Sequence, residues 1–417
     1  MSAVTVGDCL ARVEQLEPTL HAFQSLRDRD EVLQEAASID TGLPLAGVPV
    51  AIKDNVDVEG LPTRQGSAAS PTAPAERDDE LVRRLRAAGC VVIGKTQMPE
   101  LAVWPFTEPE AFPPPQNPVR PGATPGGSTG GGAVAVAAGM AALALGSDGG
   151  GSIRVPAACC GLVGIKPGPG VVPLAGGMET HWFGMTEFGP IARTASDAAL
   201  MLDILAGTDR YRRLGEPQPL RIAFSAAHPN LGVRAKAEIR GNLDQAMRTL
   251  EGAGHNVRRA RVPYPPTLGM RFSNRWLAGI AADAVELPQE RLEARTRSMV
   301  RRGTKLGRKV KPAAADPFGG RMRRWFDDHD VLITPVLTRP PVPIGSWQGK
   351  GWVRTMLGVA NWIYTVPWNL ARLPAASIPF RGGALQLIGP EGSEETLLSL
   401  AAQLERLAAT EVQRNRG

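Results

Sequence analysis

The chain has 417 residues, of which 43% are apolar and 21% are charged, and its formal net charge is +6. This composition indicates a globular protein with a large buried core. No basic start is followed by an apolar run, and no uninterrupted apolar stretch reaches the roughly 18 residues of a membrane span. We therefore expect neither a signal peptide nor a membrane span, and a cytoplasmic location.

The cysteines and histidines give no metal-binding pattern. Cys9, Cys90, Cys159 and Cys160 form no C-x-x-C pair, and the five histidines lack any metal-ligand spacing. A reducing compartment, no structural metal and no cofactor are the expectation. The basic run at residues 291–311 has no interleaved aromatic residues. It indicates a solvated helix face or a mobile loop, and we expect no nucleic-acid partner.

The first hundred residues predict an α/β layer architecture. Residues 5–40 have near-helical apolar spacing and are expected to pack on the main body as a helical segment. Residues 47–58 form a β-rich apolar run that contains Lys53. A short helix at 79–88 and a buried strand at 91–94 follow, and helix followed by strand at this spacing is typical of α/β layers. We read Lys95 and Glu100, which come next, as structural.

Residues 105–125 are rich in proline and predict a long ordered loop, because proline fits neither a helix interior nor a central strand. Long loops inside compact domains are commonly functional. Trp104 and Phe106 at its start either line a pocket or fill the space under the loop.

Residues 122–167 contain two glycine clusters, each with one serine, Ser128 and Ser152. Dense glycine costs backbone entropy and is used where the backbone approaches a ligand or aims N–H groups into a cavity. A serine on such a loop is a candidate nucleophile beside its own oxyanion hole. A flexible linker is the alternative, but the uncharged run at 133–145 between the clusters argues against it and predicts a buried helix.

The rest of the chain continues the α/β pattern. Residues 194–207 predict a helix with Thr194 before it and Gly207 after it. The later elements are predicted as a strand at 220–224, a helix at 233–250, strands at 255–261, 331–334 and 384–389, and a final helix after Ser393. No repeat or linker divides the chain, so we expect a single domain over residues 1–417.

Lys53 is the candidate base for a serine nucleophile. A serine hydroxyl attacks only when a base removes its proton, and the histidines lie in no recognisable triad motif. A lysine can replace histidine if burial lowers its pKa from about 10.4 towards neutrality. The glycines before Ser152 would supply N–H donors for a tetrahedral oxyanion. An alternative is that Lys53 lies on the solvated face of an edge strand.

The sequence resembles the amidase signature family of serine hydrolases over most of its length. The resemblance rests on five motifs, GVPVAIKDN, TPGGSTGG, LGSDGGGSIRVPAACCGLVGIKP, FGPIARTASDAALMLDILAG and WNLARLPAASIP. It implies an α/β fold with a large mixed β-sheet flanked by helices. It also implies the hydrolysis of a carboxylic amide by a Ser-Ser-Lys triad, through an acyl-enzyme.

The resemblance also implies the role of each site residue. Ser152 is the nucleophile, Lys53 is the base, and Ser128, held in that family by a cis peptide, relays the proton between them. The backbone N–H groups of Gly149, Gly150, Gly151 and Ser152 form the oxyanion hole. Asp148 and Arg154 support the loop, and Thr129 keeps a hydroxyl where the family usually has a second serine.

The sequence departs from the family pattern at positions that bear on the substrate. Gly149 and Ser147 replace a larger residue and a threonine, and we expect Gly149 to loosen the loop and widen the pocket. The chain is short at 285–325 and 379–384, regions that often shape the pocket. A small-molecule amide with an apolar or aromatic acyl group is the expected substrate. The residues expected around it are Trp104, Phe106, Trp182, Phe183 and Trp362.

Three functions remain open at this point. The first is a stand-alone amidase, and the second is the glutaminase subunit of a tRNA-dependent amidotransferase, which the same family contains. The third is a non-catalytic binding protein, which the intact candidate triad argues against. In each case the chain could act alone or as a homodimer.

Overall fold

The computed structural model describes residues 5–414 and is built around one mixed sheet. In chain order its strands are β1 Phe23–Leu26, β2 Val48–Lys53, β3 Cys90–Thr96, β4 Leu143–Asp148, β5 Val163–Lys166, β6 Glu187–Ala192, β7 Arg221–Phe224, β8 Asn256–Arg259, β9 Val331–Pro335, β10 Ala375–Phe380 and β11 Gly383–Ile388. They lie side by side in the order β1-β3-β2-β4-β6-β5-β10-β11-β9-β7-β8. The predicted large mixed sheet is confirmed.

Helices cover the sheet. They are α1 Val6–Leu20, α2 Arg29–Ser38, α3 Glu80–Ala87, α4 Gly130–Ala137, α5 Arg154–Cys160, α6 Ala195–Ala206, α7 Ala237–Gly252, α8 Leu268–Asp283, α9 Ala294–Leu306, α10 Pro317–Trp325, α11 Trp352–Ala360, α12 Val366–Leu370 and α13 Glu394–Arg414. None of them, within residues 5–414, has the length and hydropathy to cross a membrane.

The core has two layers, one on each face of the sheet. Successive strand side chains point to opposite faces, and β2 shows this directly. Val50 and Ile52 belong to one buried apolar cluster, whereas Ala51 between them belongs to the other. The central strands are buried on both faces, which explains why they read as continuous apolar runs.

Two predictions about local structure are wrong. The N-terminal segment is not wholly helical, since Phe23–Leu26 forms β1 and pairs antiparallel with β3 at the sheet edge. The apolar run at 133–145 is not one helix. It leaves α4, passes Gly139 at a φ of +73°, and enters β4. A left-handed glycine ends the helix, and pairing of β4 between β2 and β6 outweighs the helical propensity of the run.

The basic run at 291–311 contains α9, which buries Thr296, Met299, Val300 and Gly303 and exposes Arg301, Arg302 and Lys305. The helix alternative for this run is therefore correct. The predicted strand–helix–strand unit at 220–261 is also confirmed, because β7 and β8 pair in parallel with α7 between them.

Candidate active site

The sheet brings the candidate residues together at the carboxyl ends of two interior strands. β2 and β4 are parallel neighbours, and their carboxyl ends carry Lys53 and the Ser147–Asp148 pair. Ser128 lies two residues before α4, and Ser152 lies two residues before α5. Three stretches of the chain, around Lys53, around Ser128 and over residues 147–152, therefore meet beyond the same strand ends, where ligands of open α/β sheets commonly bind.

Lys53 is fully buried and hydrogen-bonded to two serines. Its Nζ lies 2.7 Å from Ser128 Oγ, 2.8 Å from Ser147 Oγ and 3.3 Å from the carbonyl oxygen of Ser147. Asn55 Nδ2 also donates to Ser147 Oγ, at 3.2 Å. The side chain has 0% exposure, so the alternative of a solvated edge lysine is wrong.

Burial lowers the pKa of Lys53 to about 7, and the nearby Asp148 carboxylate opposes this shift without cancelling it. A large fraction of the amine is therefore neutral at neutral pH. A neutral amine has two N–H donors and one lone pair. The Ser147 carbonyl can only accept, so it takes one of the two N–H groups of the amine. The lone pair is not used by this contact and is free to take the proton of a serine hydroxyl.

The two serines lie in different surroundings. Ser128 has no solvent exposure and follows a cis Gly127–Ser128 peptide bond, as the resemblance implied. Ser152 retains 8% exposure and lines a cavity. The two loops are joined by the backbone, since the Thr129 N–H donates to the Ser152 carbonyl at 3.1 Å. Thr129 Oγ1 lies 3.5 Å from the Ser147 carbonyl.

Asp148 organises residues 149–152, which we call the oxyanion loop. Its carboxylate accepts from the Gly151 N–H at 2.7 Å and from the Ile153 N–H at 3.2 Å. Gly151 turns at a φ of +130°, a conformation that favours glycine. Since the Gly151 N–H is used inside the loop, it is not aimed at the cavity. This corrects the expected oxyanion hole, whose remaining candidate donors are the N–H groups of Gly149, Gly150 and Ser152.

Arg154 pairs with Asp148 at 2.9 Å, and both side chains have 0% exposure. Burial alone would raise the pKa of Asp148, but the charge and hydrogen bonds of Arg154 and the amide of Asn369 hold that pKa below its usual range. Arg154 also donates to Gln386 Oε1 at 2.7 Å and to Asn369 Oδ1 at 2.5 Å. The loop is thus fixed to the far half of the chain.

Sequence reasoning missed Ser147, Asn369 and Gln386 as parts of this network. Asn369 lies in the motif WNLARLPAASIP, and its Nδ2 donates to both the carbonyl and the carboxylate of Asp148, at 2.9 Å each. The motif was visible, but its contact with a residue 221 positions away was not. Lys95 and Asp54 form a second fully buried pair at 3.0 Å, which is consistent with a structural role for Lys95.

The cavity in front of Ser152 is almost entirely apolar. Trp104, Trp182, Phe272 and Trp276 line it, together with smaller apolar residues. Its polar side chains are Ser152, Asn230 and Ser273, and no charged side chain is among its lining residues in the described part of the chain.

The structure separates the two aromatic residues at the start of the proline-rich loop. Trp104 lines the cavity, whereas Phe106 lies behind it, stacked on Trp104 at a centroid distance of 5.6 Å and on Trp347 at 5.9 Å. Trp182 also lines the cavity. Phe183 and Trp362 lie outside its lining, and Trp362 is fully buried.

Gly149 does not widen the cavity as expected. A Cβ atom at this position would lie 2.6 Å from Cε3 of Trp182 and 2.9 Å from Oγ1 of Thr186. The space that a larger side chain would take is therefore already filled by the indole ring.

Comparison with known proteins shows the family to which the chain belongs. The model of the family described as Amidase matches residues 5–398 of the chain. The chain belongs to the amidase signature family. It is 43% identical to AmiB2 of Mycobacterium tuberculosis (strain ATCC 25618 / H37Rv) over 95% of this chain and 90% of that protein. It is 32% identical to the acylamidase of Rhodococcus erythropolis, over 95% of this chain and 90% of that protein.

A solved amidase signature structure has the same fold. The 6-aminohexanoate cyclic dimer hydrolase, solved with its substrate, superimposes with a TM-score of 0.84 at 27% identity, over 97% of this chain and 93% of that one. Membership of the amidase signature family identifies the chain as a hydrolase of C–N bonds. Among the described residues, no group of three or more His, Cys, Asp or Glu side chains is placed to hold a metal ion.

Proposed function

We propose that the chain is an amidase that hydrolyses a carboxylic amide through an acyl-enzyme on Ser152, releasing a carboxylate and ammonia or an amine. The observation that carries the proposal is the buried contact of Lys53 Nζ with Ser128 Oγ, at 2.7 Å. A neutral lysine against a serine hydroxyl is the arrangement a proton relay requires.

The reaction divides into two proton-coupled steps. Ser128 passes its proton to Lys53 and takes the proton of Ser152, whose Oγ attacks the amide carbonyl. N–H groups of the oxyanion loop stabilise the resulting oxyanion. When the C–N bond breaks, the relay runs backwards and the departing nitrogen takes the proton. Water then attacks the carbonyl of the Ser152 ester and gives a proton to the relay. As the bond between the acyl carbon and Ser152 Oγ breaks, the relay returns that proton to Ser152 Oγ, and the acid leaves as a carboxylate, with its own proton lost to solvent.

Asp148 acts on this cycle electrostatically. Lys53 becomes cationic each time it takes the proton, and a charge developing in a buried site is costly unless an opposite charge is near. The Asp148 carboxylate, kept ionised by Arg154, supplies that opposite charge.

The cavity favours apolar amides over glutamine. Free glutamine carries an ammonium and a carboxylate group, and burying them without partners is unfavourable. No charged side chain lines the cavity within residues 5–414. This supports a stand-alone amidase for uncharged linear amides rather than the glutaminase subunit of an amidotransferase.

The test compares ammonia release from hexanamide, benzamide and L-glutamine by the isolated chain and by Ser152→Ala and Ser128→Ala. We expect hydrolysis of at least one apolar amide, none of glutamine, and loss of turnover in both variants. Ser38→Ala, at the exposed end of α2, is the matched control and should retain activity. Full turnover by Ser152→Ala would contradict the mechanism, and glutamine as the preferred substrate would contradict the substrate class.

A further inference from the structure

Trp182 lies between two glycines, one in the oxyanion loop and one on α8. A Cβ atom at Gly149 would lie 2.6 Å from Cε3 of the indole ring, and one at Gly279 would lie 2.4 Å from Cδ1. Neither glycine has a φ in the left-handed region, so backbone conformation does not explain either of them. Both positions are free of a side chain because the ring occupies that space.

Asp283 holds the ring in this slot. The Trp182 Nε1–H donates to Asp283 Oδ2 at 2.7 Å. Asp283 lies four residues after Gly279 on the same helix. The glycine that leaves room for the ring and the carboxylate that binds its N–H group are therefore on the same side of α8. His181 stacks on the indole at a centroid distance of 5.3 Å, and its Nε2 lies 3.2 Å from both carboxylate oxygens of Asp283.

The ring is at once a wall of the cavity and a support for the oxyanion loop. Trp182 lines the cavity together with Gly150 and Ser152. Phe272 covers the next position of the loop, since a Cβ at Gly150 would lie 2.9 Å from its Cζ. Two aromatic rings therefore lie directly against the backbone that carries the candidate oxyanion donors.

We propose that Trp182 is the residue that limits the size of the acyl group, and that Asp283 is a positioning residue that acts through it. This inference rests on the proposed amidase function. When the substrate carbonyl is within reach of Ser152, the acyl group must lie beside the oxyanion loop. The indole ring already occupies part of the space beside this loop, so it limits the room left for the acyl group. Bulky acyl groups are excluded by contact with the ring, and small acyl groups pack against it.

Removing the ring should change the order of substrate preference. We compare kcat/KM for the p-nitroanilides of acetic, benzoic and 2-naphthoic acid. In Trp182→Ala the ratio of kcat/KM for the naphthoyl substrate to kcat/KM for the acetyl substrate should rise by about tenfold or more. A difference of one methylene group in an apolar pocket already changes kcat/KM by about that factor. Trp182→Phe, which keeps a smaller ring, should give an intermediate rise.

The role of Asp283 is tested by a pair of variants. Asp283→Leu removes the acceptor of the indole N–H, so the ring loses its anchor and the ratio should rise. Asp283→Asn keeps a carbonyl oxygen as acceptor and should shift the ratio less. If Asp283 had a purely structural role, both variants would have lower kcat/KM values for all three substrates by the same factor, and the ratio would not change. Gly241→Ala on α7 is the control for an unrelated substitution. Its added Cβ atom has nothing within 4 Å, so it should leave the ratio unchanged.

The outcome separates this inference from the proposed function. A fluorophosphonate probe should label Ser152 in the wild type and in every Trp182 and Asp283 variant that shows a cooperative thermal transition. If the variants are labelled and folded but keep the wild-type ratio within about twofold, the assignment of Trp182 is overturned and the amidase function stands. If wild type is not labelled while Ser152→Ala keeps turnover, the proposed function itself fails.

Discussion

The amine of Lys53 and the hydroxyl of Ser128 lie 2.7 Å apart, and neither side chain has any exposure to solvent. Their contact joins the end of β2 to a loop 75 residues further along the chain. Because burial favours the neutral amine, the same packing that hides Lys53 from water prepares it to act as a base.

The first prediction concerns the pH dependence of catalysis. Lys53 must be neutral to take a proton, and burial places its pKa at about 7. We therefore expect kcat/KM for an uncharged amide to rise with pH through about pH 7 and then to level off. Lys53→Arg, whose guanidinium stays protonated, should be inactive throughout. A wild-type profile that is flat from pH 5 to 9 would exclude Lys53 as the base.

The second prediction concerns the stability cost of the buried lysine. The folded-state pKa of about 7 lies below the unfolded value of about 10.4, so between these values the unfolded chain binds more protons. Folding stability therefore falls as pH falls from about 10 to 7. Lys53→Met removes this dependence, and its urea midpoint relative to wild type should be higher at pH 7 than at pH 10. For the exposed Lys236→Met the difference between variant and wild type should not change with pH.

The third prediction concerns the buried pair of Asp148 and Arg154. Asp148→Asn leaves the guanidinium of Arg154 buried without its counter-charge, which costs about 3–5 kcal/mol of unfolding free energy. Asp244→Asn breaks the exposed pair with Arg259 and should cost less than about 1 kcal/mol. Urea unfolding at pH 7 measures both values. Similar losses in the two variants would show that Asp148 does not support the loop as described.

The fourth prediction concerns a carboxylate pair under the loop that carries Trp104. Glu293 donates its backbone N–H to Glu100 Oε2 at 2.9 Å. Burial, together with the charge of Glu100, raises the pKa of Glu293 to about 8. The folded state then binds more protons than the unfolded one between about pH 4.3 and 8, so stability falls as pH rises through this range.

Glu293→Gln removes the titrating group and keeps an acceptor for the Glu110 N–H, which lies 2.8 Å from Glu293 Oε1. The melting temperature of Glu293→Gln relative to wild type should rise from pH 5 to pH 8. Glu251→Gln, at an exposed position of α7, should show no such trend. A constant difference for Glu293→Gln would mean that the pair stays ionised in the folded protein.

The sequence predicted those parts of the fold that depend on local patterns. The parallel strands β2, β3 and β4 are apolar runs, and helices such as α6 and α13 have amphipathic spacing and capping residues. β1 was missed because its four residues show no alternation of apolar and polar side chains. Its strand conformation depends on pairing with β3. The run after α4 was misread because Ala and Leu favour a helix, whereas its position between β2 and β6 favours a strand.

The candidate site follows the same division. Lys53, Ser128 and Ser152 lie in glycine-rich or polar positions that stand out in sequence, although their roles in the proton relay are a proposal. The partners of the oxyanion loop could not be found in this way. Asn369 reaches Asp148 across 221 positions, and the ring that fills the space at Gly149 comes from Trp182 with an anchor on α8. Such contacts depend on the packing of the whole chain.

The most direct test of the central claim is the mass of the enzyme during turnover. We would quench the wild-type chain in acid while it hydrolyses a slow aromatic amide, and then measure its intact mass and the masses of its peptides. The account predicts a gain equal to one acyl group on the peptide that contains Ser152, and no gain in Ser152→Ala. Sustained turnover with no acyl adduct on Ser152, or an adduct that persists in Ser152→Ala, would contradict it.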